Sequence, residues 1–327
     1  MEKFEYANPA SLQEALSLLG STWTEAAVLA GGTDLISLMK DGVYAPKRLV
    51  NVKTIKDLSG LTAGKEGVRI GATYTIDDLA ENPTIRLQYP ALYEAARGIA
   101  SPQIRNMGTV GGDLCQRPRC WYFRAGYGLR PVAGDKSLIA VGENRYHAIF
   151  GSNPVYFVSA SSFGPPLIAL GAKAKIASPD GKRDLPVEQF FVVPQSESDR
   201  EIALKPNEVL TGIEVPLTAN LKSATYEIRE REAIDWPLAT ASVALKMKGN
   251  TVESGRIVLG AVGPTPYVAT AASQMLAGMA INEQSAEQIG KAAVADAKPL
   301  SQNGYKVQLA KVAVKRALLQ ATGQLKV

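Results

Sequence analysis

Two short segments that are rich in glycine carry the residue types best suited to phosphate binding. The first, residues 29–35, has two adjacent glycines followed by threonine and aspartate. The second, residues 101–113, combines three glycines with arginine, asparagine and threonine. Glycine lets backbone N–H groups crowd around an anion, and the polar side chains add hydrogen-bond donors. Together the two segments predict a site for a dinucleotide.

The first segment is predicted to be a turn between a strand and a helix. Residues 26–30 form a short apolar run that is typical of a buried strand, and the glycine pair ends it. Thr33 or Asp34 can then cap a helix that continues through Asp41 and ends at Gly42. The unpaired N–H groups at such a helix start suit a pyrophosphate.

The glycine spacing excludes the two commonest nucleotide-binding motifs. The Rossmann fingerprint needs G-x-G-x-x-G after a strand, the P-loop needs a Gly-Lys-Ser/Thr end, and the first segment has neither. Taken alone, its glycine pair also fits a plain tight turn, and the second segment fits a hairpin with a glycine bulge. A phosphate clamp accounts better for arginine, asparagine, threonine and paired glycines in one loop.

Length and composition are typical of a globular protein with more than one domain. The 327 residues are enough for two cores, and 46% hydrophobic with 20% charged residues is an ordinary soluble composition. No apolar run reaches the length of a membrane span, and residues 1–6 lack the apolar core of a signal peptide. We therefore expect a cytoplasmic protein without membrane insertion.

The net charge of +5 does not indicate nucleic-acid binding. Lysines and arginines are scattered among nearly as many acids, and no basic run is interleaved with aromatic residues. The densest basic patch, which consists of Arg117, Arg119, Arg124 and Arg130, follows the second glycine segment. An anionic cofactor, an acidic partner or a solvated loop would each account for it.

Short apolar runs that alternate with helical patterns predict an α+β fold. A helix is expected to begin at Thr75 with a capping box, and residues 126–153 are typical of an irregular surface insertion. The other expected elements are strands at 49–52, 68–72 and 155–158, a helix at 90–97, a hairpin at 174–183, strands at 224–231, 239–248 and 257–262, and then only helices, the last at 305–322. The change of pattern near residue 220 predicts a domain boundary.

Few side chains of this sequence suit a metal ion. His147 is the only histidine, which excludes a histidine-rich zinc or iron site and favours a structural role for this residue. Cys115 and Cys120 are too few to ligate a four-iron cluster or to form a disulfide framework. We expect no metal site in the chain.

As a pair, the glycine segments resemble the two FAD-binding stretches of the flavoprotein subunit of molybdenum hydroxylases, the xanthine dehydrogenase and carbon monoxide dehydrogenase family. The similarity continues through residues 209–216, 226–231 and 260–263. It implies an FAD-binding domain of the vanillyl-alcohol oxidase/PCMH type at 1–220, in two parts at about 1–57 and 58–220. It also implies a C-terminal domain of the CO dehydrogenase flavoprotein type at 221–327, with a three-stranded antiparallel sheet and helices.

Residues 119–124 and 142–151 are similar to the 4-hydroxybenzoyl-CoA reductase and aldehyde oxidoreductase branch of this family. Subunits of that branch commonly carry four cysteines for an iron–sulfur cluster in the insertion between these runs. Cys120 matches the first cysteine, and the other three positions hold Leu129, Ser137 and Val155. Leucine and valine cannot ligate iron, so the cluster is expected to be absent, with the aromatic residues at 121–123 packing the remaining loop.

Three further positions depart from the family pattern. The family usually has asparagine at Asp113, an acid at Ser162 and lysine near Glu227. A glutamate beside a phosphate-bearing ligand is unfavourable unless a cation pairs with it. The resemblance nevertheless implies FAD contacts at Leu29, Ala30, Gly31, Gly32, Thr33, Asp34, Leu35, Ser101, Ile104, Thr109, Val110, Gly111, Gly112, Asp113, Ser162 and Leu210.

The resemblance implies an FAD-binding electron-transfer subunit. Its partners would be a molybdopterin-binding large subunit and a small subunit with two-iron clusters, and the flavin would pass electrons to an external acceptor. No residue of this chain would act as acid, base or nucleophile on the substrate. Two alternatives stay open, namely a free-standing FAD oxidase with a covalent flavin, for which His147 or Cys120 would serve, and a flavin-free scaffold.

Overall fold

Strands and helices are mixed along the chain, in agreement with the α+β prediction. The computed structural model describes residues 1–99, 101–218, 220–231 and 234–325. The strands are β1 (Glu5–Ala7), β2 (Ala26–Leu29), β3 (Arg48–Asn51), β4 (Leu61–Gly64), β5 (Gly67–Gly71), β6 (Val132–Ala133), β7 (Lys136–Ser137), β8 (Lys173–Ser178), β9 (Gly181–Pro186), β10 (Val209–Pro216), β11 (Leu221–Ile228), β12 (Ala239–Lys248), β13 (Thr251–Gly260) and β14 (Tyr267–Val268). The helices are α1 (Leu12–Ser17), α2 (Leu35–Lys40), α3 (Ile76–Glu81), α4 (Pro83–Gln88), α5 (Pro90–Gly98), α6 (Pro102–Met107), α7 (Val110–Cys115), α8 (Leu138–Val141), α9 (Gly164–Ala169), α10 (Val187–Phe190), α11 (Thr270–Met275), α12 (Glu283–Ala293) and α13 (Tyr305–Ala321). Within the described ranges, no helix has the length and apolar character needed to cross a membrane.

Two sheets position the glycine segments. In the first sheet, β3 lies between β1 and β2 and is parallel to both. In the second sheet the order is β4-β5-β10-β8-β9, and every neighbouring pair is antiparallel. The predicted hairpin is confirmed as β8 and β9. Because β2 ends just before the glycine pair, the first sheet fixes where the first segment begins.

The third sheet, β11-β12-β13-β14, has one strand more than predicted. Its three long antiparallel strands are confirmed, but β13 begins at Thr251 rather than at 257. The additional strand β14 has only two residues and pairs with Val258 and Leu259 of β13. Two residues are too few to leave a periodic signal in a sequence. Helix α13 packs on β11 and β12, and α12 packs on α13.

Side-chain caps determine where several short helices begin. Thr75 accepts a hydrogen bond from the Asp78 N–H at 3.1 Å, which confirms the predicted start of α3. Asn82 and Ser101 cap α4 and α6 in the same way, and a proline follows each of them. Such a cap contributes about 1 kcal/mol. The second glycine segment is therefore made of two helical turns, α6 and α7, and the hairpin alternative is wrong.

Two apolar cores meet beside the site. The larger core packs the second sheet against α3, α5 and α9 and contains Tyr89 and Phe163, both fully buried. The other core lies between the third sheet and the C-terminal helices. Ala244 and Val258 of the third sheet belong to the larger core, so the two cores are in contact. This contact places the third sheet against the elements that hold the second glycine segment.

Residues 126–153 are more ordered and more buried than the sequence predicted. β6 and β7 form a hairpin, and Ile139 and Ile149, both C-terminal to it, are fully buried. The Ile149 N–H donates to the Val262 carbonyl at 2.8 Å, which ties the segment to the loop between β13 and β14. The predicted strand at 155–158 is wrong, since Val155 forms only an isolated bridge.

Candidate functional site

The two glycine segments line one groove that has two compartments. An inner cavity of about 190 Å³ is lined by the first segment, Trp23, Arg200 and Leu210. An outer cavity of about 260 Å³ is lined by Ser162, Trp236 and parts of the second segment. The two cavities are continuous because both are lined by Thr33, Asp34, Gly108, Thr109, Gly112 and Gln116.

The first segment offers successive backbone donors to this groove. Among the described residues, the N–H groups of Gly32, Thr33 and Asp34 donate to no protein acceptor. Gly32 has a φ of +73°, a left-handed conformation that glycine adopts without strain, and it turns the chain from β2 towards α2. Successive free N–H groups in such a turn form a concavity that binds anions. We call residues 32–34 the cradle.

Gly31 is required by the fold before any ligand binds. A Cβ built on Gly31 would lie 1.9 Å from the carbonyl oxygen of Met107, so the two segments are packed backbone to backbone here. The sequence had assigned both glycines of the pair to the close approach of a ligand. The structure separates their roles: Gly31 lets the segments touch, and Gly32 shapes the cradle.

The second segment uses its backbone donors within the protein. The N–H groups of Val110 and Gly111 donate to carbonyls just after β5, at 2.9 and 2.8 Å, and the Gly112 N–H donates to the Thr109 hydroxyl at 3.0 Å. These three groups therefore do not surround a phosphate, contrary to the expectation from the sequence. The Thr109 hydroxyl accepts one of these bonds and keeps its own hydrogen for an acceptor in the groove.

The Asp113 side chain positions its neighbours and has little capacity left for a ligand. Its carboxylate accepts hydrogen bonds from the Ser161 hydroxyl (2.6 Å), the Ser162 and Phe163 N–H groups (3.2 and 3.0 Å) and the Gln116 amide (2.9 Å). Burial raises the pKa of Asp113 to about 6, against the lowering effect of these donors. The bonds hold the turn before α9, which places Ser162 in the outer cavity.

Asp34 anchors the arginine-rich loop and does not cap α2. Its carboxylate accepts a hydrogen bond from the Arg117 N–H (2.7 Å) and pairs with the guanidinium groups of Arg119 (2.9 Å) and Arg124 (2.8 Å). It makes no capping hydrogen bond, so the predicted cap at Asp34 is wrong. The side chain of Arg130 donates to the Pro194 carbonyl at 3.3 Å. The basic patch is thus folded against the protein, and a solvated loop does not describe it.

Glu227, which departs from the family pattern, has a cationic partner. Its carboxylate forms a salt bridge with Arg229, and both side chains are largely buried. Burial raises the pKa of Glu227, and the neighbouring guanidinium opposes this shift. Because Arg229 lines the outer cavity, the pair presents no uncompensated negative charge to that compartment.

Several groove residues were not identified from the sequence. Thr73 is 5% exposed, lines the inner cavity, and its hydroxyl has no hydrogen-bond partner among the described residues. Arg200 lies over the ring of Trp23, 4.1 Å from the centroid, and beside Tyr44. Burial lowers the pKa of Arg200 to about 10. A lone threonine after a strand and an arginine in a loop give no signal in a single sequence.

Most of the predicted FAD contacts lie on the groove, and three do not. The residues that line it are Ala30, Gly31, Gly32, Thr33, Asp34, Leu35, Ile104, Thr109, Gly111, Gly112, Asp113, Ser162 and Leu210. Leu29 ends β2, Ser101 caps α6, and Val110 is fully buried in the larger core. These three residues line neither cavity.

A third cavity, of about 360 Å³, adjoins the outer one. Both are lined by Arg119, Ser162, Asp235, Trp236 and Pro237. Cys120 and His147 lie in its wall, with Sγ and Nε2 3.1 Å apart. Burial raises the pKa of Cys120 to about 11 and lowers that of His147 to about 4, so both are neutral near pH 7.

The positions that the resemblance aligns with cluster ligands come together in a buried, mainly apolar region. Cys120, Leu129 and Val155 belong to one buried cluster, and the buried Ser137 hydroxyl donates to the Pro154 carbonyl at 3.2 Å. In the part of the chain that the structure describes, no three His, Cys, Asp or Glu side chains are grouped so as to hold a metal ion. Trp121 contacts the His147 ring at 4.9 Å between centroids.

Two family models together match almost the whole chain. The model described as FAD binding domain in molybdopterin dehydrogenase matches residues 2–218. The model described as CO dehydrogenase flavoprotein C-terminal domain matches residues 224–321.

Curated proteins and solved structures of similar length agree with these matches. The chain is 31% identical to the carbon monoxide dehydrogenase medium chain of Hydrogenophaga pseudoflava over 97% of this chain and 96% of the relative. It is 29% identical to an aldehyde oxidoreductase FAD-binding subunit of Escherichia coli K12 over 99% and 100%. A solved chain of the carbon monoxide dehydrogenase from Hydrogenophaga pseudoflava superposes with a TM-score of 0.78 at 30% identity, covering 99% of both chains.

Proposed function

Because the chain belongs to the family of FAD-binding domains in molybdopterin dehydrogenases, we propose that it is the electron-transfer subunit of a molybdenum-containing hydroxylase or dehydrogenase. In this proposal the groove holds FAD, with its diphosphate at the cradle. The observation that carries the proposal is the run of unpaired N–H groups at Gly32, Thr33 and Asp34, three residues that line the groove together with Thr109.

The fit of FAD to the groove rests on unpaired donors of this chain. The N–H groups of the cradle and the orphan hydroxyl of Thr73 need acceptors, which the diphosphate and the sugar portion of a dinucleotide possess. The inner cavity adds the apolar side chains of Ala26, Leu38 and Val52. A mainly apolar pocket with a few convergent polar groups is typical of a cofactor site.

The residues of this chain would bind and orient the cofactor and would take no part in substrate chemistry. When bound, FAD accepts and passes on electrons in one- or two-electron steps. The cradle and Thr109 hold the diphosphate, Asp113 fixes the Ser162 turn, and Arg229 neutralises Glu227 beside the outer cavity. The rim of the outer cavity includes Trp236, which is 44% exposed, so the redox-active ring belongs in this compartment, where a partner can reach it.

The proposed domain boundaries follow the first, second and third sheets. We place one domain at residues 1–220, of the vanillyl-alcohol oxidase/PCMH type, in two parts at about 1–57 and 58–220. The strands of the first sheet lie between residues 5 and 51, and those of the second between 61 and 216, which supports this division. Residues 221–327 form the C-terminal domain, against which the outer cavity opens. The partners would be a molybdopterin-binding subunit and a small subunit with two-iron clusters, in line with relatives named as medium chains.

The free-standing oxidase is the second candidate, and the chemistry of Cys120, one of its two possible attachment residues, disfavours it. Covalent attachment of a flavin needs a reactive nucleophile. The Cys120 thiol is buried with its pKa raised to about 11, which leaves little thiolate at pH 7. We therefore expect all flavin to be released when the protein is precipitated with acid.

The test is purification of the tagged chain from its native host, with metal analysis and reduction assays. We expect a complex that contains molybdenum, two-iron clusters and one FAD per chain, in which the substrate reduces the flavin. The isolated chain with FAD is the control and should not be reduced by that substrate. A lone chain that oxidises a substrate would contradict the subunit assignment.

A further inference from the structure

Arg119 stands out among the charged residues of the outer cavity because several protein contacts hold its guanidinium group in the cavity wall. Nη1 pairs with Asp34 at 2.9 Å, and Nη2 donates to the Gln116 side chain at 2.9 Å. The buried Nε–H has no acceptor among the described residues. One face of the group lies against the indole of Trp236, 4.5 Å from the ring centroid.

These contacts hold the guanidinium in one orientation. Asp34 is the last residue of the cradle, Gln116 follows α7, and Trp236 comes from the loop before β12, so three separate parts of the chain hold Arg119. A charged group that is fixed before the ligand arrives loses little entropy on binding. Because the Nε atom is not accessible from the cavity, Arg119 acts on a ligand there as a fixed positive charge.

The location of Arg119 favours the ring of FAD over its diphosphate. Arg119 lines the outer and third cavities and is absent from the inner one, and its Nη1 is occupied by the Asp34 carboxylate. The other arginine of the outer cavity, Arg229, is already paired with Glu227. Asp113 is saturated by four donors, and Asp235 accepts from the Trp236 N–H at 2.9 Å.

We propose that the guanidinium group of Arg119 lies beside the flavin ring and, as a fixed positive charge, favours the reduced cofactor over the oxidised one. The inference rests on the proposed function. Reduction by two electrons with uptake of one proton leaves the ring with one more negative charge, and a fixed cation stabilises that charge. Arg119 is therefore a positioning residue for the electron-transfer step, and it acts on the midpoint potential.

Arg124 supplies a matched control. It pairs with the same Asp34 oxygen as Arg119, at 2.8 Å, but it lines neither the outer nor the inner cavity. Arg124→Gln therefore removes an equivalent salt bridge without removing a charge from the wall of the outer cavity. A change that is specific to Arg119 cannot then be attributed to the loss of a charge beside Asp34.

The experiment measures the midpoint potential of bound FAD in the isolated chain, by reduction with dithionite against a reference dye. For Arg119→Gln we expect about a tenfold loss in relative affinity for reduced FAD, which for a two-electron couple is a potential lower by about 30 mV. Arg124→Gln should keep the wild-type potential, and Arg119→Lys should recover most of the shift. Equal shifts in the two glutamine variants, or none in Arg119→Gln, would overturn the inference.

Two further outcomes separate this inference from the proposed function. If the wild-type chain binds no FAD, the proposed function fails before the variants are compared. If Arg119→Gln loses FAD while the wild type and Arg124→Gln keep it, Arg119→Lys decides between two readings. An Arg119→Lys variant that binds FAD at the wild-type potential supports the inference. An Arg119→Lys variant that also loses FAD assigns Arg119 to packing and overturns the inference.

Discussion

Replacement of Thr73 by valine tests whether the groove binds a ligand. The stability of the FAD-free protein and its affinity for FAD should change in opposite directions. The Thr73 hydroxyl is buried without a partner among the described residues, and such a group costs about 1–3 kcal/mol when it is left unpaired. Valine has nearly the same shape and removes the hydroxyl. The free valine variant should therefore be as stable as the wild type or more stable, by up to that amount.

Binding of FAD should show the opposite effect. A hydrogen bond from the Thr73 hydroxyl to the cofactor contributes about 0.5–1.5 kcal/mol, so Thr73→Val should raise the Kd of FAD by about 2- to 12-fold. The assay combines urea unfolding of the apoprotein with titration of FAD by the change in flavin fluorescence.

Thr211→Val is the matched control for this prediction. The Thr211 hydroxyl is also buried, but it donates to the Lys175 carbonyl at 3.0 Å and lines neither cavity of the groove. This variant should lose about 1 kcal/mol of stability and keep the wild-type Kd. If Thr73→Val destabilised the apoprotein and bound FAD normally, the hydroxyl would be a structural group and the reasoning would be refuted.

Two further predictions concern the fold around the site. Burial raises the pKa of Glu94 to about 7, while its carboxylate accepts hydrogen bonds from the Thr225 N–H and the Gln320 amide. Because the folded pKa exceeds the ordinary 4.5, the free energy of unfolding falls as the pH rises from about 4.5 to about 7. In urea unfolding, Glu94→Gln should therefore be more stable than the wild type by roughly 1–3 kcal/mol at pH 8 and show no such gain at pH 4. A gain that is the same at both pH values would contradict the burial of an ionised carboxylate. Gly31→Ala should lower the melting temperature of the apoprotein far more than Gly42→Ala does, because the new Cβ meets the Met107 carbonyl at position 31 and open space at position 42, where only the strain of a φ of +71° remains. Equal losses in the two variants would show that the glycine segments are not packed as described.

Local sequence patterns predicted the secondary structure correctly wherever the pattern lies within a single helix or hairpin. The helix start at Thr75, the hairpin of β8 and β9, and the long C-terminal helix α13 each follow from caps, turn residues or uninterrupted helical pattern. Residues 155–158 were wrongly predicted to be a strand because the prediction relied on their apolar run alone. Val155 and Phe157 are indeed buried, in the cluster that contains Cys120, but an apolar run does not distinguish a buried irregular segment from a strand.

The details of the site depend on contacts between distant residues, and a single sequence does not contain them. Asp34 pairs with arginines 85 and 90 positions away, so the sequence offered only the local alternative of a helix cap. The donors of Val110 and Gly111 are used by the turn after β5, which no glycine pattern reveals. The partner of Glu227 is an exception, because it is only two residues away and residues i and i+2 of an extended chain face the same side, so this pair could have been predicted from the sequence.

The insertion at residues 126–153 can be tested for a role in assembly with a partner. Deletion of residues 128–140 is the simplest change. Leu129 and Ile139 are buried in the cluster that contains Cys120 and Phe157, so this deletion would remove part of a core. Val132→Asp, on the exposed strand β6 of the hairpin, probes the same surface without that defect.

The most direct test of the central claim is a titration of the purified apoprotein with FAD, followed by precipitation with acid. The account predicts saturation at one FAD per chain, binding that competes with ADP because the diphosphate occupies the cradle, and complete release of the flavin into the acid supernatant. Failure to bind FAD would contradict the account, as would flavin that stays with the precipitated protein.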